Sequence, residues 1–168
     1  MGAVAATPAA PASSPELAPP GRCAGDDDAA APLLVQREAM RCLINVARRA
    51  HGLSRLEASA SLARSAASKS RLIAVCRRFA HDACGRPWRG VFPPVADRTW
   101  GENIAEAGAP ATPREILTRW LASRRHRANI LRADWTELGV SVRVGVPMPG
   151  GPMTVWTSHF GAPELRSA

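Results

Sequence analysis

Tyrosine is absent from this chain of 168 residues, and lysine occurs once, at Lys69, beside 21 arginines. A GC-rich coding background produces that bias without any partner having selected it, so the net charge of +8 is weak ground for a nucleic-acid reading. Aromatics make up only 5% of the residues. No zinc-finger spacing, RNP-type motif or interleaved basic-aromatic stripe points to nucleic acid. No apolar run approaches the roughly 18 residues that a membrane-crossing helix needs. No internal repeat is present, which excludes a solenoid or fibrous array. The four cysteines, Cys23, Cys42, Cys76 and Cys84, form no C-x-x-C pair, so dithiol redox and zinc-ribbon readings fail on spacing. The first residues, Met1-Gly2-Ala3-Val4-Ala5-Ala6, have neither a basic region nor a long apolar stretch and do not read as a secretory signal.

What is present fits one globular domain. Hydrophobic residues account for 46% and charged residues for 21%, enough for a sizeable core. Residues 1–31, rich in Ala and Pro with an Asp26-Asp27-Asp28 run, read as a disordered or loosely tethered arm. The domain is expected over 32–163 and a short tail over 164–168. From Leu33 to Ala50 the apolar residues Met40, Leu43, Ile44 and Ala47 share one helical face, and Gly52 supplies a stop. Ser59 can cap a second helix to about Arg78, with Leu62, Ala66, Ile73 and Ala74 inward. Residues 80–99 lack periodicity and hold Gly85, Pro87, Gly90, Pro93 and Pro94, the composition of a long, functional loop.

Thr112-Pro113-Arg114-Glu115 is a capping box with proline at the first helical position. The helix behind it presents Ile116, Leu117, Trp120 and Leu121. A short helix around His126–Leu131, capped by Ser123, is expected next. The period then changes to two: Leu138, Val140, Val142, Val144 and Val146 alternate with smaller or polar residues. A turn over Pro147–Pro152 brings Met153–Phe160 back as an antiparallel partner. Helices followed by a hairpin make an α+β arrangement.

An even cysteine count in a small domain fits two disulfides and an oxidising compartment. Four cysteines allow three connectivities, and chain-local pairing gives Cys23–Cys42 and Cys76–Cys84. Four reduced core cysteines are the alternative.

Titratable residues beside helix breakers mark two segments. One is Phe79-Ala80-His81-Asp82. The other is Trp100-Gly101-Glu102-Asn103-Ile104, followed by Ser123-Arg124-Arg125-His126-Arg127-Ala128-Asn129-Ile130-Leu131. With Leu43-Ile44-Asn45, Arg48, Gly52-Leu53, Leu56, Leu62, Trp120, Glu137-Leu138-Gly139-Val140 and Phe160-Gly161 in this order, the chain from about Cys42 to Gly161 resembles the CAP superfamily. That superfamily comprises cysteine-rich secretory proteins, antigen 5 and pathogenesis-related protein 1, and the likeness is to its short bacterial SCP-like branch.

The resemblance implies a three-layer α-β-α sandwich with a small antiparallel sheet and a surface cleft. In the family that cleft carries two histidines and two acids and can bind a divalent metal through the histidines. Here they map to His81, His126 and Glu102. Where the second acid belongs, this chain has Leu121-Ala122-Ser123, so the tetrad is a triad. Two imidazoles plus water can hold Zn²⁺ weakly, without the metal being required for folding, since structural sites use four protein ligands. Glu102 then orients a histidine or a water rather than binding metal. The alternative is that both histidines only stitch loops to the sheet by hydrogen bonds. Arg127 and Asn129 read as structural, and His51, at a helix end, as a surface residue. His159 shares a strand face with Val155 and Thr157 and either reaches the cleft or covers the sheet. The five tryptophans read as core or loop anchors.

The leading functional expectation is an extracellular or cell-envelope binding module without a catalytic residue. Its ligand is expected to be a lipid or sterol, as the resemblance implies, or an anionic envelope polymer, as the basic charge favours. The rival is a metal-assisted hydrolase in which His81 and His126 hold the metal and Glu102 is the base. A serine–histidine variant using Ser123 or Ser158 lacks a recognisable nucleophile motif.

Overall fold

The computed structural model describes residues 16–92 and 98–163. Helix α1 (Leu33–Ala50) is followed by a two-residue strand β1 (Glu57–Ala58), helix α2 (Ala60–Cys76), strand β2 (Arg98–Gly108) and helices α3 (Pro113–Ala122) and α4 (Arg124–Ile130). Strands β3 (Glu137–Met148) and β4 (Gly151–Pro163) complete the fold. The sheet order is β1-β3-β4-β2: antiparallel across β3, β4 and β2, with β1 adding a short parallel edge against β3.

The helices lie where the apolar periodicity puts them. On α1, Met40, Leu43, Ile44 and Ala47 are fully buried. Gly52 adopts φ +68° just past the end of α1, a conformation open to glycine at no steric cost. Ser59 caps α2, accepting a hydrogen bond from the Leu62 amide. That helix ends at Cys76, slightly before the expected Arg78, because Arg77 turns left-handed at φ +47°. The Thr112–Glu115 capping box forms reciprocally at the head of α3. Ser123 occupies the junction between α3 and α4, but its side chain makes no capping bond, contrary to expectation. Its extended backbone serves both helix ends instead.

Two cores sandwich the sheet. Residues of α1, α3 and α4 pack on one face against Leu138, Val140, Val142, Trp156 and Phe160. On the other face Ile73 of α2 meets Ile104, Val146 and Val155. The result is the three-layer α-β-α sandwich. The expected single alternation along β3 breaks between Arg143 and Val146, where one extra residue bulges at Gly145 (φ +70°). A one-residue slip reverses the faces. Val142 therefore joins the first core, Val146 joins the second, and Val144 is exposed. The hairpin is also tighter than expected, with Met148 opposite Gly151.

The region expected as a long loop folds into two short 3-10 turns, Ala83–Gly85 and Trp88–Val91; residues 93–97 lie outside the described part. The chain-local disulfides are both present, Cys23–Cys42 and Cys76–Cys84. Of the expected arm, residues 1–15 lie outside the described part, and residues 16–31 pack on the domain. Ala18, Cys23 and Asp26 are buried there. Arg114 clasps this segment through the Ala18 carbonyl at 2.7 Å and the Asp26 and Asp27 carboxylates at 2.5 and 3.0 Å. At the other end of α1, buried Arg48 donates to the carbonyls of Ser54, Ile130 and Arg132 at 2.8–2.9 Å, tying the helix to the chain after α4.

Candidate functional site

The site is assembled around Glu102 on β2. Register places Glu102 directly opposite His159 of β4, so both side chains project from the same face, toward α2. The His159 Nε2–H donates to Glu102 Oε2 at 2.8 Å, and His159 Nδ1 shares a hydrogen bond of 2.8 Å with the Ser65 hydroxyl of α2, which also donates to the Leu62 carbonyl at 2.9 Å. Phe92 covers the His159 ring at a centroid distance of 4.3 Å. His81, in the segment between α2 and the first 3-10 turn, donates through Nδ1 to Glu102 Oε1 at 2.6 Å. Lys69, also on α2, lies 3.6 Å from Glu102 Oε2 and donates to the His81 carbonyl. The Cys76–Cys84 bridge encloses the same segment and fixes its two ends.

His126 arrives from the opposite layer, on α4. Its carbonyl accepts from Asn103, and Asn129 donates to Asn103 Oδ1 at 3.0 Å, so α4 is pinned to the edge strand β2. Gly101 permits this approach: a Cβ there would lie 2.7 Å from both Asn129 Oδ1 and the Trp135 ring. His81, Glu102 and His126 thereby line one cleft of about 370 Å³, together with Asn103, Arg125, Asn129 and Arg132. A second depression of about 300 Å³, lined by His81, Trp88 and Glu102, adjoins it through the shared residues.

The electrostatics follow from burial and pairing. Burial pushes the Glu102 carboxyl up, but the hydrogen bonds from His159 and His81 and the nearby Lys69 charge outweigh it and hold the carboxyl below its ordinary value. Burial pushes His159 down, against the pull of Glu102 and with the help of Lys69. Burial, then the neighbouring His81, pushes His126 down.

Ser65, His159 and Glu102 form a serine–histidine–carboxylate row, yet it cannot receive a substrate: His159 is wholly buried and Ser65 is 4% exposed. Ser158, weighed as a nucleophile, is also buried; it is adjacent to His159 on the strand, faces the other way, and its hydroxyl has no partner among the described residues. Ser123 sits at the α3–α4 junction. Leu121, Ala122 and Ser123 bring no acid to the cleft, whose lining among the described residues holds one carboxylate, Glu102. Both of its oxygens are engaged. For a metal, the cleft offers the imidazoles of His81 and His126; among the described residues no group of three or more His, Cys, Asp or Glu side chains is arranged around a common point. The donor set thus fits a partial, two-nitrogen site and no closed cage.

His51 is a surface residue, hydrogen-bonded to Glu16 at 2.5 Å, and Arg127 pairs with the same carboxylate. Sequence reasoning passed over Lys69 and Ser65 entirely. The signal was available: positions 62, 65, 66, 69, 70 and 73 form one buried face of α2, and the only lysine of an arginine-rich chain stands on it. A cation on a buried face requires a buried partner.

Comparison with known proteins agrees with this architecture. The chain is 32% identical over 121 residues to the uncharacterized protein YkwD of Bacillus subtilis (strain 168), covering 70% of this chain and 44% of YkwD. An extracellular protein containing a SCP domain from Bacillus anthracis superposes with TM-score 0.58 at 26% identity, over 76% of this chain and 40% of that one. An outer surface protein of Borrelia burgdorferi superposes with TM-score 0.67 at 15% identity, over 80% of this chain and 97% of that one, a likeness of fold. The chain spans less than half the length of the curated relative. Residues 42–160 match the profile of the cysteine-rich secretory protein family; the chain belongs to that family, the CAP superfamily, as a bacterial SCP-like domain.

Proposed function

We propose that the protein is an exported binding module that holds its ligand non-covalently in the His81–Glu102–His126 cleft. Export is supported by the two disulfides, which persist in oxidising compartments, and by the likeness to an extracellular SCP-domain protein of Bacillus anthracis. The observation that carries binding over hydrolysis is the state of Glu102. A general base needs a pKa near the working pH. The Glu102 carboxyl is held below its ordinary value and accepts from a histidine on each oxygen, so it is built to orient His81.

Among the described residues the lining is polar and cationic, with Ala128 its one aliphatic side chain; this favours an anionic envelope polymer over a sterol or lipid. With Glu102 holding the His81 Nδ1–H, His81 Nε2 and the His126 ring are the nitrogens that would hold Zn²⁺, which would supply Lewis acidity at the cleft. Two protein ligands make that binding weak and unnecessary for folding. The test is incubation of the oxidised protein with purified envelope polymer. Retention on the polymer without soluble product, lost in the His81→Ala/His126→Ala variant, supports the reading. Product released in excess of the protein present overturns it. Isothermal titration with Zn²⁺ should show weak binding that disappears in the same variant, and a variant binding as tightly as wild type would refute the two-histidine site.

A further inference from the structure

We infer that the cleft recognises an oxyanion, a carboxylate or phosphate carried on a sugar ring, clamped between Arg125 and Arg132. The inference rests on the binding reading above and names the chemistry of the ligand. Three features of the cleft converge on it.

The first is the charge balance. The single carboxylate that the described residues bring to the lining, Glu102, is spent inward: Lys69 stands 3.6 Å behind it and two imidazoles bond its oxygens. At the mouth stand Arg125 and Arg132. The Arg125 side chain is exposed and has no ion pair or hydrogen bond among the described residues. Neighbouring Arg127, by contrast, is consumed by Glu16 and does not line the cleft. A cleft whose negative charge is compensated at depth and whose rim is cationic attracts anions.

The second is orientation. The Arg132 guanidinium lies 4.5 Å over the Trp135 ring and 3.2 Å from Asp134. Stacking and the ion pair hold the fork in place, which lowers the entropy lost when it engages a planar or tetrahedral oxyanion bidentately. Asp134 accepts from Nε and Nη2 of Arg132 at 3.3 and 3.2 Å and is not part of the lining, so the Nη1 edge is the one left for an oxyanion.

The third is the adjoining depression. His81 and Glu102 are shared between the cationic cleft and the space lined by Trp88. Trp88 is half-buried, with Phe92 edge-on at 5.4 Å, which fixes the indole as an amphipathic surface for a ring. A free inorganic anion fills only the arginine side. A ring bearing an acidic group spans both.

Titration of the oxidised full chain, followed by heteronuclear NMR, tests this with four probes: glucuronate, glucose 6-phosphate, inorganic phosphate and glucose. Both acidic sugars should shift the amides of residues 125–132 and the Trp88 indole saturably, and each should bind more tightly than phosphate or glucose alone. The exposed-site double variant Arg125→Gln/Arg132→Gln should weaken the acidic sugars by about tenfold or more, with its unperturbed spectrum confirming the fold. The variant Arg37→Gln/Arg55→Gln, remote from the cleft, should bind as wild type does. Preference for one acidic sugar over the other identifies the source as carboxylate or phosphate, and either result supports the clamp. Glucose binding in the cleft as tightly as the acidic sugars overturns the clamp while leaving a binding module. Equal losses in the two double variants overturn it in favour of diffuse basic charge, and no saturable shift with any probe overturns it outright. Hydrolysis of envelope polymer would overturn the binding reading without touching the clamp.

Discussion

Lys69→Met should remove about 3 kcal/mol of stability, because among the described residues Lys69 is the lysine or arginine placed against the buried carboxylate of the site. Lys69 and Glu102 side chains are 1% and 2% exposed and 3.6 Å apart. At an effective dielectric near 20, that separation corresponds to an attraction of about 4–5 kcal/mol. Removing the lysine also removes its own desolvation penalty, which offsets part of the loss. Breaking one side of a buried pair leaves the remaining charge uncompensated, an effect of about 3–5 kcal/mol. Glu102 retains two imidazole donors, which places the expectation at the lower end. Urea unfolding under oxidising conditions should show the midpoint falling by about 1 M or more with an unchanged slope. The double variant Lys69→Met/Glu102→Gln should lose less than the two single changes summed, by at least ~1 kcal/mol. Lys69→Arg should not rescue, since the planar guanidinium needs a wider space than one ammonium against the His81 carbonyl. The same change should raise hydrogen exchange in the segment around His81. A loss under ~1 kcal/mol, or strict additivity in the cycle, would refute the reasoning and leave Glu102 held by the imidazoles alone.

Acid should destabilise the fold in two windows. The folded-state values of His159 and His126 lie below the ordinary histidine value of 6.5, so the unfolded chain takes up protons first and stability falls as pH drops from about 6.5. Glu102 and Glu16, also depressed, add a second loss as pH falls below the ordinary carboxylate range; urea midpoints from pH 7.5 to about 2 check both, and His159→Asn should flatten the upper window. Removing Cys23–Cys42, with a separation of 19 residues, should destabilise by about 3 kcal/mol. Cys76→Ser/Cys84→Ser should have a somewhat smaller global effect, given a separation of 8, while selectively loosening the His81 segment in hydrogen exchange. Gly139→Ala should prevent folding or destabilise by more than ~3 kcal/mol, because its Cβ would fall 2.1 Å from the Leu62 carbonyl carbon; circular dichroism and soluble yield would report it.

The parts of the fold that read from sequence are those where one side of an element is apolar and the other wet. Helix α1 declares itself through Met40, Leu43, Ile44 and Ala47, and α3 through its capping box. Strand β2 does not. It runs between two layers, and its buried positions include Glu102 at 8% and Asn103 at 1% exposure, polar residues that erase the alternation by which a strand is recognised. The bulge at Gly145 is equally silent, since four valines at even spacing look like one face until an extra residue intervenes.

The same property explains why His81, Glu102 and His126 could be located and the groups packed behind Glu102 could not. His81 and His126 stand beside loop and helix-start signals, but Ser65, Lys69 and His159 lie on faces that otherwise read as core. Their purpose is apparent only from the pairing. Glu102 cannot be buried as an anion without compensation, and each donor that compensates it comes from a different element: Lys69 from α2, His159 from β4, His81 from the disulfide-closed segment. The carboxylate is thus a junction at which three elements must agree, and His81 is the only member left substantially exposed, at 53% of its side chain. Burial of the other members converts what could be a reactive row into a rigid mount for one imidazole. Shortening the junction residue while keeping an acid, Glu102→Asp, separates these roles: a carboxylate acting only as a charge tolerates the change, whereas a mount that must reach His81 and His159 at once does not. Loss of ordered His81 resonances with the rest of the NMR spectrum preserved is the expected result, and an unchanged His81 environment would refute the mount.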